Sequence, residues 1–265
     1  MKIDFHTHGK LAKKLPFSKE YTDWLFREAL NSGLDAICLT EHFNTNEFEE
    51  VYQYISQNAT RVGDSFLING LQIFSGMEID ISENGHILTI GSREDILKLN
   101  KELKPYREKD NYLSMTKLLE RTRDYNFIVG AAHPFRDGSK IPGLGETLLT
   151  RLDFVDLNGK DMAYSPDIIK ISTKEFGDRY DLAVLAGSDT HQSLQYGCIY
   201  NIFEKDCNTI DQLKDSIQKK EYEIKLSSTV KSQVYYAGLL KRSLKEIHEL
   251  GGDYVGVLTG HEDDR

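Results

Sequence analysis

The chain has 265 residues, of which 39% are hydrophobic and 28% charged, a balance that excludes a disordered or low-complexity protein and allows a large core. Its formal net charge of −9 argues against broad, non-specific nucleic-acid binding, which rests on Lys and Arg neutralising phosphates. Nucleic acid is therefore not expected as a partner, whereas a small phosphorylated substrate held in a local basic pocket is compatible with that charge.

Short apolar runs alternate with longer amphipathic segments. Lys2 to His6 predicts a strand, and Ser18 to Ser32 a helix with Ser18 as its N-cap and Gly33 as its stop. Leu34 to Thr40 reads as a second strand and Phe48 to Arg61 as a helix. Leu71 to Ile79 and His86 to Ile90 are strand-like around a turn at Glu83-Asn84-Gly85. Tyr112 to Tyr125 has helical periodicity, Asn126 to Ala132 and Leu152 to Leu157 read as strands, and Tyr164 to Phe176 as a helix. Leu182 to Ala186 and Ile199 to Phe203 follow as strands, then a helix over Thr209 to Lys220. A short strand over Glu223 to Leu226, a helix over Val234 to Leu250 and a polar tail over Thr259 to Arg265 complete the chain. This alternation predicts an α/β fold with a largely parallel sheet. Residues 1–265 read as one barrel domain, with a C-terminal extension over 223–265 at the weakest boundary.

The three cysteines, Cys38, Cys198 and Cys207, fit neither a CxxC pair nor a zinc finger, so a reducing cytoplasm is the expected setting. MKIDFHTHGK lacks the apolar stretch of a signal peptide, and no window approaches the roughly 18 apolar residues of a membrane span. No membrane partner is expected.

Six of the eight histidines sit at the end of an apolar run. His6 and His8 end the first, and His42 follows the second. His133 follows IVGAA, His191 follows VLAGSD, and His86 opens ILTIG, the exception in sense; His248 and His261 fall elsewhere. In parallel α/β barrels, functional groups gather at the C-terminal strand ends. A lone histidine is more often structural, but six in this pattern read as a metal site. Asp4, His6 and His8 alternate in a strand and are expected on one face, with Asp4 accepting the second N–H of an imidazole. Glu78 closes QIFSGME, where a carboxylate can bridge two ions. Asp189 and His191 repeat the i, i+2 spacing. Arg136, directly after His133-Pro134-Phe135, and Lys160, in DLNGKD, are candidate phosphate contacts. There is no P-loop, no Rossmann fingerprint and no GxSxG elbow, which disfavours a nucleotide triphosphatase or a serine hydrolase.

The ordered set His6-Thr7-His8, Thr40-Glu41-His42, Gly76-Met77-Glu78, His86 before ILTIG, Ala132-His133-Pro134 and Ser188-Asp189-Thr190-His191 resembles the PHP family, the polymerase and histidinol phosphatase group of metal-dependent phosphoesterases. The resemblance implies a distorted seven-stranded (β/α) TIM-like barrel and two or three divalent ions, zinc, manganese or iron. By that analogy His6, His8, Glu78 and Asp189 hold the first ion, Glu78, His86 and His133 the second, and His42 and His191 serve the third. Two departures stand out. Glu41 replaces the family's frequent Asp. The segment after His8, GKLAKKLPFS, carries Lys10, Lys13 and Lys14 where many members have a further His or Asp. The third site is then weakened or differently built, or a lysine such as Lys14 replaces an ion's charge or binds phosphate. The implied activity is a phosphomonoesterase of histidinol-phosphatase type, acting on a small phosphorylated metabolite through a metal-activated water. Asp189 and His191 are the nearest candidates for protonating the leaving oxygen. The alternatives are a nuclease or nucleotide phosphodiesterase, and a non-catalytic barrel that binds metal.

Overall fold

The structure is a computed structural model that describes residues 1–260. In chain order it runs β1 (Lys2–Thr7), α1 (Lys19–Asn31), β2 (Ala36–Leu39), α2 (Phe48–Asn58), β3 (Thr60–Val62), β4 (Ser65–Ile68), β5 (Leu71–Ile81) and β6 (Gly85–Gly91). Then come α3 (Arg93–Glu102), α4 (Met115–Thr122), β7 (Ile128–Ala132), α5 (Glu146–Leu149), β8 (Phe154–Asn158), α6 (Gly159–Tyr164), α7 (Pro166–Tyr180) and β9 (Ala183–Gly187). β10 (Ile199–Phe203), α8 (Ile210–Gln218), β11 (Tyr222–Leu226), α9 (Val230–Glu249) and α10 (Tyr254–Thr259) finish the chain. Residues 261–265, which include His261 and most of the expected polar tail, lie outside the described residues.

The strands form one sheet in the order β11-β10-β1-β2-β5-β6-β7-β8-β9. Its ends approach each other where Thr7 bridges Thr190, and the Asn201 side chain on β10 ties Ala186 N and O to the Ile3 carbonyl. The result is a nearly closed, distorted barrel, as expected. The path holds nine strands rather than seven, because β10 and β11 continue antiparallel beyond β1. β6 runs antiparallel to both β5 and β7. Its first residues therefore lie at the rim where the neighbouring strands end, which explains why His86 opens its run instead of closing it.

Several local signals decide the elements. The Ser18 hydroxyl caps α1 by accepting from Tyr21 N, and Thr209 and Gln212 form a full capping box on α8. Pro166 starts α7 at a position where its missing N–H costs nothing, and so splits the single helix expected over 164–176 from α6. The helix expected to reach Arg61 stops at Asn58. Arg61 pairs with Phe66 in a hairpin turned at Gly63-Asp64, a two-residue turn signal that outweighs helical periodicity.

Inside the barrel, Ile3, Phe5, Phe74, Leu88, Ile128, Phe154 and Leu185 form one apolar cluster, and α8 adds Ile210, Leu213 and Ile217 to it. Full burial of such a side chain is worth about 1.5–3 kcal/mol. A second cluster packs α1 to α4 against Ile37, Leu39, Ile73 and Ile79. Towards the C-terminal ends, the inward positions turn polar at the strand period: Glu78 follows Phe74, and Asp156 follows Phe154. The apolar cluster thus supports a polar rim. Among the described residues, no helix is long and apolar enough to cross a membrane.

Candidate metal centre

Glu78 is the hub of the rim. Its Oε1 lies 2.6 Å from His86 Nδ1 and 3.1 Å from His133 Nε2. Its Oε2 lies 2.9 Å from His42 Nδ1, 3.4 Å from His8 Nε2 and 3.5 Å from His6 Nε2. Asp189 Oδ1 faces the same two nitrogens, 3.4 Å from His8 and 3.8 Å from His6. His191 stacks on His8 with ring centres 3.9 Å apart. All eight residues expected as ligands therefore converge at one rim.

The donor atoms fit divalent cations. His6 Nε2 and both ring nitrogens of His8 are buried and have no hydrogen-bond partner among the described residues. A buried polar atom left so costs roughly 1–3 kcal/mol. Imidazole nitrogens and carboxylate oxygens grouped in this way are what zinc, manganese or iron accept. Three groupings, His6–His8–Asp189, His6–Glu78–His133 and His8–His42–His191, each bring one donor atom per residue within 4.8 Å of the others. The third grouping adds His8 to the two histidines the analogy supplied.

One expected orientation is corrected. Asp4 pairs with Ile37 and Thr7 with Leu39, so β1 carries one residue more than β2 across this stretch. That bulge breaks the simple alternation of Asp4, His6 and His8 and re-aims the strand at the site. Asp4 Oδ1 accepts from the backbone N–H groups of His6 (3.1 Å) and Ser188 (3.0 Å), not from an imidazole. Asp156, which the sequence reading missed, takes that role. Its Oδ2 accepts from His6 Nδ1 at 3.0 Å, leaving the Nε2 lone pair facing Glu78 and Asp189, and also from His133 N and Asn158 Nδ2. Its signal was an inward strand-end carboxylate in FVDLN, in the same place on β8 as Glu78 on β5. Glu41 accepts from Gly9 N and His42 N, fixing the two loops that carry His8 and His42.

The backbone is bent to make this convergence. Asp189 (φ 59°) and His133 (φ 30°) are non-glycine residues at positive φ, a conformation that costs roughly 1–3 kcal/mol and persists only where its surroundings fix it. Asp189 N donates to His6 O at 2.8 Å. At Gly187 a Cβ would lie 2.4 Å from His6 Cβ and 2.8 Å from Asp156 Oδ1, so only glycine permits this approach.

The expected substrate contacts fare differently. Arg136 spends three donors within the protein, 2.9 Å each to Asp161 Oδ1, Asn158 Oδ1 and Asp189 Oδ2. It holds one Asp189 oxygen and leaves the other to His6 and His8. Lys160 is exposed and borders a cavity shared with Asp189 and His191. Of the basic loop, Lys13 reaches the cluster, 3.1 Å from Asp80, which in turn accepts from His86 Nε2 at 2.9 Å. Lys14 is exposed, and Lys10 is buried with its ammonium on Asn46 O.

Charge follows this geometry. Burial would raise the Glu78 carboxyl, but His42, His86 and His6 hold it well below its usual range. Burial likewise opposes Asp189, which Arg136 and the imidazoles hold well below the usual range. Burial, with repulsion from His8 and Lys241, pushes the His191 imidazole down, and burial lowers His42 to about 4. These groups therefore rest as electron-pair donors.

Comparison with known proteins agrees with this geometry. No curated protein sequence matches the chain. Among solved structures, PsfC from Pseudomonas syringae superposes with a TM-score of 0.73 at 21% identity, covering 92% of this chain and 98% of its own. The lesion-specific endonuclease PfuEndoQ from Pyrococcus furiosus gives 0.63 at 20% identity, over 84% of this chain and 57% of its own. An endonuclease Q complexed with a duplex bearing an abasic lesion gives 0.62 at 17% identity, over 82% of this chain and 56% of its own. These likenesses concern the fold. They also overturn the expectation that net charge sets nucleic acid aside: a duplex-binding endonuclease uses the same barrel. The physical reason is that phosphate contacts depend on local cations, whereas net charge averages over the whole surface. The sequence profile of the PHP domain matches residues 4–229, and the chain belongs to that family of metal-dependent phosphoesterases.

Proposed function

We propose that the protein is a metal-dependent phosphomonoesterase acting on a small phosphorylated substrate. The observation that carries this reading is Glu78, whose two oxygens face two separate sets of imidazoles. In this reading His6, His8, Glu78 and Asp189 hold one ion, Glu78, His86 and His133 a second, and His8, His42 and His191 a third. When bound, such ions supply an acidified water and neutralise phosphoryl charge. The chain's own residues do the rest. Asp156 fixes the His6 tautomer, and Arg136 orients Asp189 with donors left over for a phosphoryl oxygen. Asp189 and His191 are the residues this reading assigns to the proton of the leaving oxygen. Lys160, at the mouth of the adjoining cavity, meets the substrate. Residues 1–265 act as one barrel domain with α9 and α10 docked on it, and three buried, unpaired cysteines suit a reducing cytoplasm.

A second reading, hydrolysis at a phosphodiester, is favoured by the exposed Tyr164, Tyr235 and Tyr236 beside Lys231, since aromatic rings next to cations suit stacked bases. The deciding assay loads the protein with Mn²⁺ or Zn²⁺ and offers an aryl phosphate, histidinol phosphate, a bis-aryl phosphodiester and short oligonucleotides. Monoester turnover that disappears in Glu78→Gln supports the first reading. Diester cleavage alone supports the second. Inactivity on all four with full ion content leaves a non-catalytic metal-binding barrel and sinks both.

A further inference from the structure

Beside the histidine rim, the C-terminal helix builds a surface of opposite character. Val230 and Val234 of α9 pack with Met162 and Ala163 of α6. Further along α9, Ala237, Lys241 and Lys245 repeat at four-residue spacing and so share a face. Lys160 stands in the first turn of α6. A cavity of about 340 Å³ is bounded by Lys160, Lys241, Arg242 and Lys245 together with Asp189, His191 and Gln192. The four cations have no carboxylate at ion-pair distance among the described residues, whereas Lys174 and Lys219 on other helices are paired with Asp178 and Asp215. Gln192 is buried, and its Nε2 donor has no partner among the described residues. Burial, with repulsion from Lys160 and Lys245, lowers the Lys241 ammonium to about 8 against the pull of Asp189. Cations gathered in a cavity with an unused amide donor are suited to an anion. The PHP profile ends at residue 229, so three of the four cations belong to a helix outside the matched domain.

We propose that this cavity receives a second anionic group of the substrate, a phosphate or a carboxylate, and that the preferred substrates are small phosphate esters carrying two anionic groups. The proposal rests on the phosphoesterase reading for the neighbouring centre. It also turns specificity away from histidinol phosphate, whose leaving alcohol carries an amine and an imidazole that the four cations repel.

The test compares a hexose bisphosphate and a phosphoglycerate with glycerol phosphate, which lacks the second anion, using the metal-loaded protein. Lys241→Met is expected to lower kcat/KM about tenfold more for a two-anion substrate than for glycerol phosphate, with Lys241→Arg recovering most of the difference. Lys160→Met, on a different helix, is expected to discriminate in the same sense. Which of the two substrates is affected more tells phosphate from carboxylate. Equal losses on all three substrates would overturn the proposal. A second readout needs no turnover: calorimetric titration of the metal-free protein with methylene bisphosphonate, expected to bind about tenfold more weakly to Lys241→Met. If the wild type hydrolyses nothing yet binds the bisphosphonate through Lys241, the phosphoesterase reading fails and the anion cavity stands. If it hydrolyses glycerol phosphate while neither readout responds to Lys241, the cavity proposal fails alone.

Discussion

The strand-end rim and the face of α9 lie side by side, yet they handle charge in opposite ways. At the rim, Glu78 and Asp189 are buried among six imidazoles, signs are interleaved, and several donor atoms lack partners. On the α9 face that borders the cavity, Lys241, Arg242 and Lys245 share one sign and have no carboxylate at ion-pair distance among the described residues. Cations placed among its electron pairs stabilise the first arrangement. The second tolerates its own repulsion because water screens it, and it is relieved by an arriving anion. Adjacent surfaces of these two kinds form a site for a ligand that is negative at both ends.

The sharpest way to break this comparison is at Glu78. Glu78→Gln is expected to empty the rim of ions, counted by elemental analysis, and to lower aryl phosphate turnover by about a thousandfold, the equivalent of several kcal/mol. Full ion content in that variant would mean the rim does not depend on its hub. Asp156→Asn keeps the shape but weakens the acceptor behind His6 Nδ1. Metal affinity is expected to fall about 10–100-fold, read by competition with a chromogenic chelator. An unchanged affinity would remove Asp156 from the design. At Gly187 the added methyl of Gly187→Ala meets His6 and Asp156. The expected loss is about 1–3 kcal/mol, measured by thermal or denaturant unfolding, and an undiminished midpoint would show that the rim is less tightly built than described.

An effect of pH on stability concerns Asp4. Burial raises its carboxyl from 3.8 to about 7. The folded chain thus holds this proton where the unfolded chain releases it. Stability from this group is full below pH 3.8, declines as pH rises towards about 7, and is flat above. Asp4→Asn in the metal-free protein is expected to remove that decline from a plot of unfolding free energy against pH. An unchanged slope would assign the decline to the imidazoles.

The rim residues were legible because each ends or opens an apolar run, and a strand buried on both faces announces itself by composition. Asp156 was overlooked because its run continues through Leu157 and Asn158, and its contact with His6 is what assigns it a role. The hairpin at Gly63-Asp64 was written in the chain as a two-residue turn but lost to the helical period before it. Arg136 lies near the centre, and its partners, Asp161, Asn158 and Asp189, come from other segments, so its hold on Asp189 was not legible in the sequence.

The sequence by itself determined the barrel class, the family and the eight residues that converge at the rim, because apolar periodicity and strand-end positions are local properties. Tertiary structure alone decided the bulge that re-aims β1, the reversed β6 that brings His86 to the rim, the Asp156 contact and the docking of α9. Each depends on which strands and helices become neighbours. That follows from burying all the apolar surface at once, and no single segment encodes it.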